Sequence, residues 1–256
     1  ELDDLMVHLK ENYQKENHLY DLPWYLVLGY GESGKTSLLQ ASGQEFLFTS
    51  MLDASNFKSE NPYSYNWWFR DEALFIDPDS ELLSQRALKK LAETDSDPQL
   101  ARHLWLHFLE WLGDIRPQRP LNGIVMVVDL PDLINTTVVN RRAQAGTLRA
   151  RIQEVIAMIS SQLPVYIVFS KMDQLQGFKE FFKHLKKEDR EKLLGFTFSI
   201  EASKDSKQWL VDFEIQYQLF VTRIKASLPK AMIDNFNENE RASLYSFYQQ
   251  LAGIEQ

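Results

Sequence analysis

The sequence contains no cysteine. That excludes a disulfide framework and any metal site built on thiolates. It has no run of about 18 apolar residues, so nothing in it crosses a membrane as a helix. It has no surplus of positive charge either: 28 lysines and arginines stand against 36 aspartates and glutamates, a formal net charge of −8. Nucleic acid is therefore not an expected partner. No internal repeat and no low-complexity segment is visible. There is no initiating methionine; the chain opens at Glu1-Leu2-Asp3-Asp4-Leu5 inside a helical pattern, and we expect a piece of a longer protein. What is present is 256 residues, 44% hydrophobic and 25% charged, enough for one large α/β domain with or without a small appendage.

One stretch organises the rest. Five apolar residues, Trp24-Tyr25-Leu26-Val27-Leu28, read as a short buried strand. They run into Gly29-Tyr30-Gly31-Glu32-Ser33-Gly34-Lys35-Thr36, which satisfies every fixed position of G-x-x-x-x-G-K-[ST], and Ser37-Leu38-Leu39 then opens a helix. A phosphate-binding loop needs this order of strand, loop and helix. Gly29, Gly31 and Gly34 let the backbone curl, so that N–H groups of the loop, from Glu32 and Ser33 to Ser37, point inward at a phosphate. Lys35 reaches the β- and γ-phosphates, and the Thr36 hydroxyl binds Mg²⁺.

The periodicity predicts an amphipathic helix over 1–20 with Leu2, Leu5, Met6 and Leu9 on one face, a P-loop domain over 21–205, and a helical extension over 206–256. The loop helix runs to about residue 41, and 44–64 reads as loop. Strands are expected at 67–70 and 73–77, joined in a hairpin-like pair at Asp71-Glu72, and at 123–130, 165–169 and 193–200. Helices are expected at 81–93, 100–112, 138–162, 176–186, 207–228 and 238–252, with Asp132 in a polar turn and Pro229 ending its helix. Strands alternating with helices after residue 120 predict a mostly parallel sheet covered by helices on both faces.

Two further signals carry chemistry. Leu74-Phe75-Ile76-Asp77 is an apolar strand ending in an acid, where P-loop proteins place the aspartate of the Mg²⁺ shell. Lys35, Thr36 and Asp77 are thus the candidate catalytic residues, Thr36 and Asp77 being the metal pair. After Asp77 the chain reads Pro78-Asp79-Ser80-Glu81. Ser80 stands where GTPases carry glycine and Glu81 where small GTPases carry glutamine; Asp79 and Glu81 read as a solvated acidic turn. The second signal is Ser170-Lys171-Met172-Asp173 at the tip of another strand, similar to the [N/T]-K-x-D element of GTPases. The Asp173 carboxylate can accept from guanine N1–H and its 2-amine, and the Lys171 stem can cover the base. Ser170 is a shorter anchor than the usual Asn or Thr. Ala202-Ser203-Lys204 is a worn candidate for the loop behind the base. His103 and His107 have ligand spacing on a helix, with Glu110 a turn on, but read as surface residues because no other histidine is near.

With these residues in view, the chain resembles the cytoplasmic nucleotide-binding region of the IcmF/TssM family, subunits of bacterial type VI and type IVB secretion systems. The resemblance rests on Leu22-Pro23-Trp24-Tyr25, Trp67-Trp68-Phe69 with Asp71-Glu72-Ala73 and Ile76-Asp77, Arg119-Pro120-Leu121-Asn122-Gly123, Leu148-Arg149-Ala150-Arg151, and Pro164-Val165-Tyr166 through Asp173 to Gly177-Phe178. It implies a GTPase-like P-loop fold holding Mg²⁺ with GTP or ATP, at the cytoplasmic face of the bacterial inner membrane, in a parent protein that spans it. It also implies a DotU/TssL-type membrane subunit, the baseplate and other complex subunits as partners. At 77–81 the chain departs from the family's usual D-T-A-G-R-Y, which argues against fast hydrolysis. Two readings stand side by side. One is a slowly hydrolysing NTPase that drives or gates secretion-complex assembly. The other is a structural scaffold whose loop binds nucleotide without significant hydrolysis.

Overall fold

In the computed structural model the described residues are 18–41, 64–69, 72–85, 99–159, 163–183, 185–190, 194–198, 206–234 and 237–255. They belong to two compact units: Glu1–Asp129 with Thr136–Ser170, and Leu130–Asn135 with Lys171–Gln256. The helix expected over 1–20 lies outside the described residues except for its end. The loop at 44–64, all but Ser64, the joint at Asp71, the segment after Gln85 and Ala202-Ser203-Lys204 lie outside them too.

The first unit is an α/β layer. A short helix α1 (His18–Asp21) precedes β1 (Trp24–Gly29), the glycine-rich loop and α2 (Lys35–Ala41). There follow β2 (Tyr65–Phe69), β3 (Leu74–Pro78), α3 (Ser80–Ser84), α4 (Leu100–Ile115) and β4 (Gly123–Asp129). After α5 (Leu130–Asn135), which is part of the second unit, come α6 (Val138–Ile159) and β5 (Val165–Ser170). The strands form one five-stranded sheet in the order β2-β3-β1-β4-β5. β1 pairs in parallel with β3 and β4, and β4 with β5. Among the described residues only the β2–β3 pair is antiparallel, which is why its connection can be short. The sheet is thus mostly parallel, as the alternation of elements predicts.

The apolar run of β1 is explained by burial on both faces. Trp24, Leu26 and Leu28 alternate onto one face, with Leu74, Ile76 and Ile124, beneath Trp105, Phe108, Leu109 and Leu112 of α4 and Leu148, Val155 and Ile159 of α6. Val27 and Val127 turn to the other face, against Leu39 of α2 and Trp68. A central strand in a parallel sheet requires this two-sided burial. Trp67 is a core aromatic, edge-on to Trp24 at 6.1 Å and to Trp111 at 6.0 Å.

The entry to β1 is pinned to the entry to β4. The Trp24 N–H donates to Asn122 Oδ1 at 2.9 Å, and the Asn122 N–H donates to the Trp24 carbonyl at 2.8 Å. Beside them Arg116, only 1% exposed, lies 4.5 Å from the Trp24 ring centroid and 5.1 Å from that of Tyr20.

The second unit is helical. It comprises α5, a 3₁₀ turn (Met172–Gln174), α7 (Phe178–Phe182), α8 (Lys187–Arg190), α9 (Ser206–Asp234) and α10 (Glu238–Ala252). Leu130, Leu175, Ile224, Phe247 and Leu251 form its core. Phe178, Phe181 and Phe182 surround Phe247 at 5.3 to 6.0 Å. The long helices of the C-terminal extension are tied by Tyr217, whose hydroxyl donates to the Leu251 carbonyl at 2.6 Å. Gly177 has φ +88, and a Cβ there would run into the Ser243 backbone carbonyl of α10, so two constraints select glycine at that turn.

Four sequence expectations are corrected. Residues 194–198 form no strand: Phe196 and Phe198 are within 5.7 to 6.5 Å of Trp209 and Phe213 on α9, so their alternation serves a helix face instead of a sheet. Pro229 does not end its helix, because α9 continues to Asp234. Leu228 is buried beside it, and tertiary packing outweighs the local cost of the missing N–H. Asp132 is in the first turn of α5, where a carboxylate favours the helix. The helix expected at 176–186 is shorter, starting only after the left-handed Gly177.

Candidate functional site

The glycine-rich loop leaves β1 at its carboxyl end. β1 has β3 on one side and β4 on the other, so the chain's connections diverge at its carboxyl end, the switch point where such sheets usually take a ligand. Gly31 has φ +53 and Gly34 φ +82, a region costly for any residue with a Cβ. A Cβ at Gly29 would run into Ser33 Oγ and lie 3.0 Å from the Lys35 side chain. The loop is therefore folded tightly back over its own start. Its last turn is fixed by the Leu38 N–H donating to the Gly34 carbonyl at 2.9 Å.

The structure brings Lys35, Thr36 and Asp77 together. Thr36 Oγ1 donates to Asp77 Oδ2 at 3.0 Å. Lys35 Nζ is 3.6 Å from Asp77 Oδ1, with both side chains more than nine-tenths buried. β3 delivers Asp77 because its register with β1, Leu26 opposite Ile76, sets the next residue beside the loop. Burial pushes the Asp77 carboxyl above the usual carboxylate range, against the opposing pull of Lys35 and of the Thr36 hydroxyl. Two polar atoms here, Ser33 Oγ and Asp77 Oδ1, are buried and have no hydrogen-bond partner among the described residues. A cation beside an acid with a vacant lone pair, a hydroxyl on that acid and a glycine-lined turn make a donor set that suits a phosphate and a hard, oxygen-binding cation such as Mg²⁺. Gly29, Gly31, Glu32, Ser33, Gly34 and Ser37 surround this cluster in sequence; Glu32 and Ser37 are exposed and Ser33 is buried.

The stretch after Asp77 folds as a helix start. Asp79 is the N-cap of α3, its carboxylate accepting from the Glu81 N–H at 3.0 Å. Glu81 lies within the first turn and accepts from the Ser84 hydroxyl at 3.4 Å. The cap explains why acids stand here.

Lys171 and Asp173 belong to the second unit. Lys171 has left-handed backbone, φ 57 and ψ 24, and precedes the 3₁₀ turn that carries the exposed Asp173. His103 and His107 are exposed on α4.

Asp129 escapes the sequence motifs, and Ser170 makes a contact that its motif does not announce. Asp129 ends β4, opposite Ser170 in the β4–β5 register; an acid closing an apolar strand is the signal that singles out Asp77, and it applies equally to Asp129. Ser170 is 8% exposed, and its hydroxyl is 2.6 Å from the Ser33 carbonyl, which it joins across 137 positions of sequence.

Comparison with known proteins adds the lineage. Residues 98–256 match the family described as the IcmF-related N-terminal domain. Over 251 residues, 98% of its length, the chain is 31% identical to the type VI secretion system component TssM1 of Pseudomonas aeruginosa. It spans 22% of that protein.

Proposed function

This chain belongs to the IcmF/TssM family, and from that premise we propose that it is the nucleotide-binding domain of a type VI secretion-system subunit. The single observation that carries nucleotide binding is the convergence of Lys35, Thr36 and Asp77 at the carboxyl end of β1. In this reading the loop amides and Lys35 bind the β- and γ-phosphates of GTP or ATP. Thr36 and Asp77 hold Mg²⁺, which when bound neutralises charge on the phosphate oxygens. Lys171 and Asp173 select guanine. In the same reading the parent protein sits in the bacterial inner membrane with this domain at the cytoplasmic face, against a DotU/TssL-type subunit and the baseplate. Among the described residues no helix is long and apolar enough to cross a membrane.

A scaffold that holds nucleotide without useful turnover is the second reading, and the cap at Asp79 favours it. With Ser80 and Glu81 inside α3, the stretch after Asp77 supplies neither a mobile glycine N–H nor a neutral amide to orient water. The expected result of a steady-state phosphate-release assay is fewer than about one turnover per minute. Several turnovers per second, abolished by Lys35→Ala, would show that other residues position the water. For base choice, Asp173→Asn should weaken GTP binding while leaving ATP binding nearly unchanged. Tighter binding of ATP than GTP by the unmodified chain contradicts the guanine assignment.

A further inference from the structure

Ser170 has no role in the scheme above, yet it is tied to the centre of the binding loop. It is the last residue of β5, and its buried hydroxyl is 2.6 Å from the Ser33 carbonyl and 3.2 Å from the Val128 carbonyl. A hydroxyl has one proton to donate, and the shorter contact takes it. The Ser33–Gly34 peptide is planar and trans, so its C=O and the Gly34 N–H point in opposite directions. Gly34, at φ +82, belongs to the residue type that most readily allows such a plane to turn over. A donor anchored in the sheet and clamped on the carbonyl removes that freedom.

We propose that Ser170 is a positioning residue for the phosphate loop: by holding the Ser33 carbonyl against β5, it fixes the orientation in which the Gly34 N–H is offered to a phosphate oxygen. The inference rests on the nucleotide-binding reading and goes beyond it, since it gives the first position of the Ser170-Lys171-Met172-Asp173 element a phosphate-side task in place of a base-side one. The clamp touches no base, so its loss weakens every phosphate ligand alike.

The test compares the unmodified chain, Ser170→Ala and Ser170→Thr. Each is titrated with GTP, ATP and inorganic triphosphate in the presence of Mg²⁺, and the Gly34 amide resonance is recorded in the free chains. Losing one neutral hydrogen bond corresponds to about a fivefold change in affinity. Ser170→Ala is expected to bind all three ligands about fivefold more weakly, with the GTP-to-ATP ratio unchanged and the free Gly34 amide broadened by exchange. Ser170→Thr, which keeps the hydroxyl, restores both readouts. If the unmodified chain binds and Ser170→Ala binds equally with a sharp Gly34 resonance, the positioning role is overturned while the nucleotide reading stands. A lower melting temperature with unchanged affinity likewise overturns it, because Ser170 is then only structural. If the unmodified chain binds none of the three ligands, both readings fall together.

Discussion

Lys35→Ala is expected to weaken nucleotide binding at least about tenfold while the fold persists. A charge-assisted hydrogen bond contributes roughly 1.5–3 kcal/mol, and about 1.4 kcal/mol is a factor of ten in affinity. Lys35 is buried and 3.6 Å from Asp77 Oδ1, so the substitution also leaves a buried carboxylate without its cation. That second effect gives the variant a pH signature. The Asp77 carboxyl is held above its usual range by burial, and Lys35 is the largest of the opposing influences. Removing Lys35 raises it further. A carboxyl raised on folding gives stability that is complete below its unfolded pKa and is lost as pH climbs through its folded pKa. The melting-temperature deficit of Lys35→Ala should therefore grow from acid to neutral pH. Equal nucleotide affinity in a fluorescence titration of the two chains, or a deficit independent of pH, contradicts the assignment.

The second large effect is on stability. Arg116→Ala should cost about 3–5 kcal/mol, the range for removing a large core side chain. Arg116 is 1% exposed and lies near the faces of Tyr20 and Trp24. It donates to the Pro120 carbonyl at 3.4 Å, and to the Leu22 carbonyl and Asn122 Oδ1 at 3.5 Å each. Burial lowers its pKa to about 10, so the guanidinium remains charged at neutral pH and needs its aromatic neighbours. Truncation opens a void against Trp24, the first residue of the strand that carries the binding loop. The melting temperature should fall by roughly 10 °C, at about 2–4 °C per kcal/mol for a chain of this size. Arg116→Lys should recover little of it, because an ammonium has no planar face to stack. A shift of only about 2 °C for Arg116→Ala, measured by calorimetry, would mean the site collapses without cost.

The parts legible in the sequence are those fixed by local pattern. The glycine spacing from Gly29 to Gly34 announces a curled loop, because few backbones tolerate left-handed residues at that density. The apolar runs before Gly29, Asp77 and Ser170 announce strands buried or paired in one sheet. The parts that stayed hidden depend on distant partners. Nothing near Ser170 in sequence says that its hydroxyl meets Ser33. Nothing beside Arg116 in sequence says that Tyr20 and Trp24 lie against it. Phe196 and Phe198 alternate as a strand would, but the aromatic residues of α9 receive them. Asp79 reads as part of a solvated acidic turn, and its role as a cap shows only once α3 offers it the Glu81 N–H.

The central claim, that Lys35, Thr36 and Asp77 form a Mg²⁺-dependent nucleotide site, is tested most directly by calorimetric titration of the unmodified chain with GTP and with ATP, each with Mg²⁺ and again with EDTA in its place. The expected result is saturable binding with one nucleotide per chain, weakened by about tenfold when the cation is removed. Absence of binding by either nucleotide at millimolar concentration, or binding unchanged by EDTA, would contradict it.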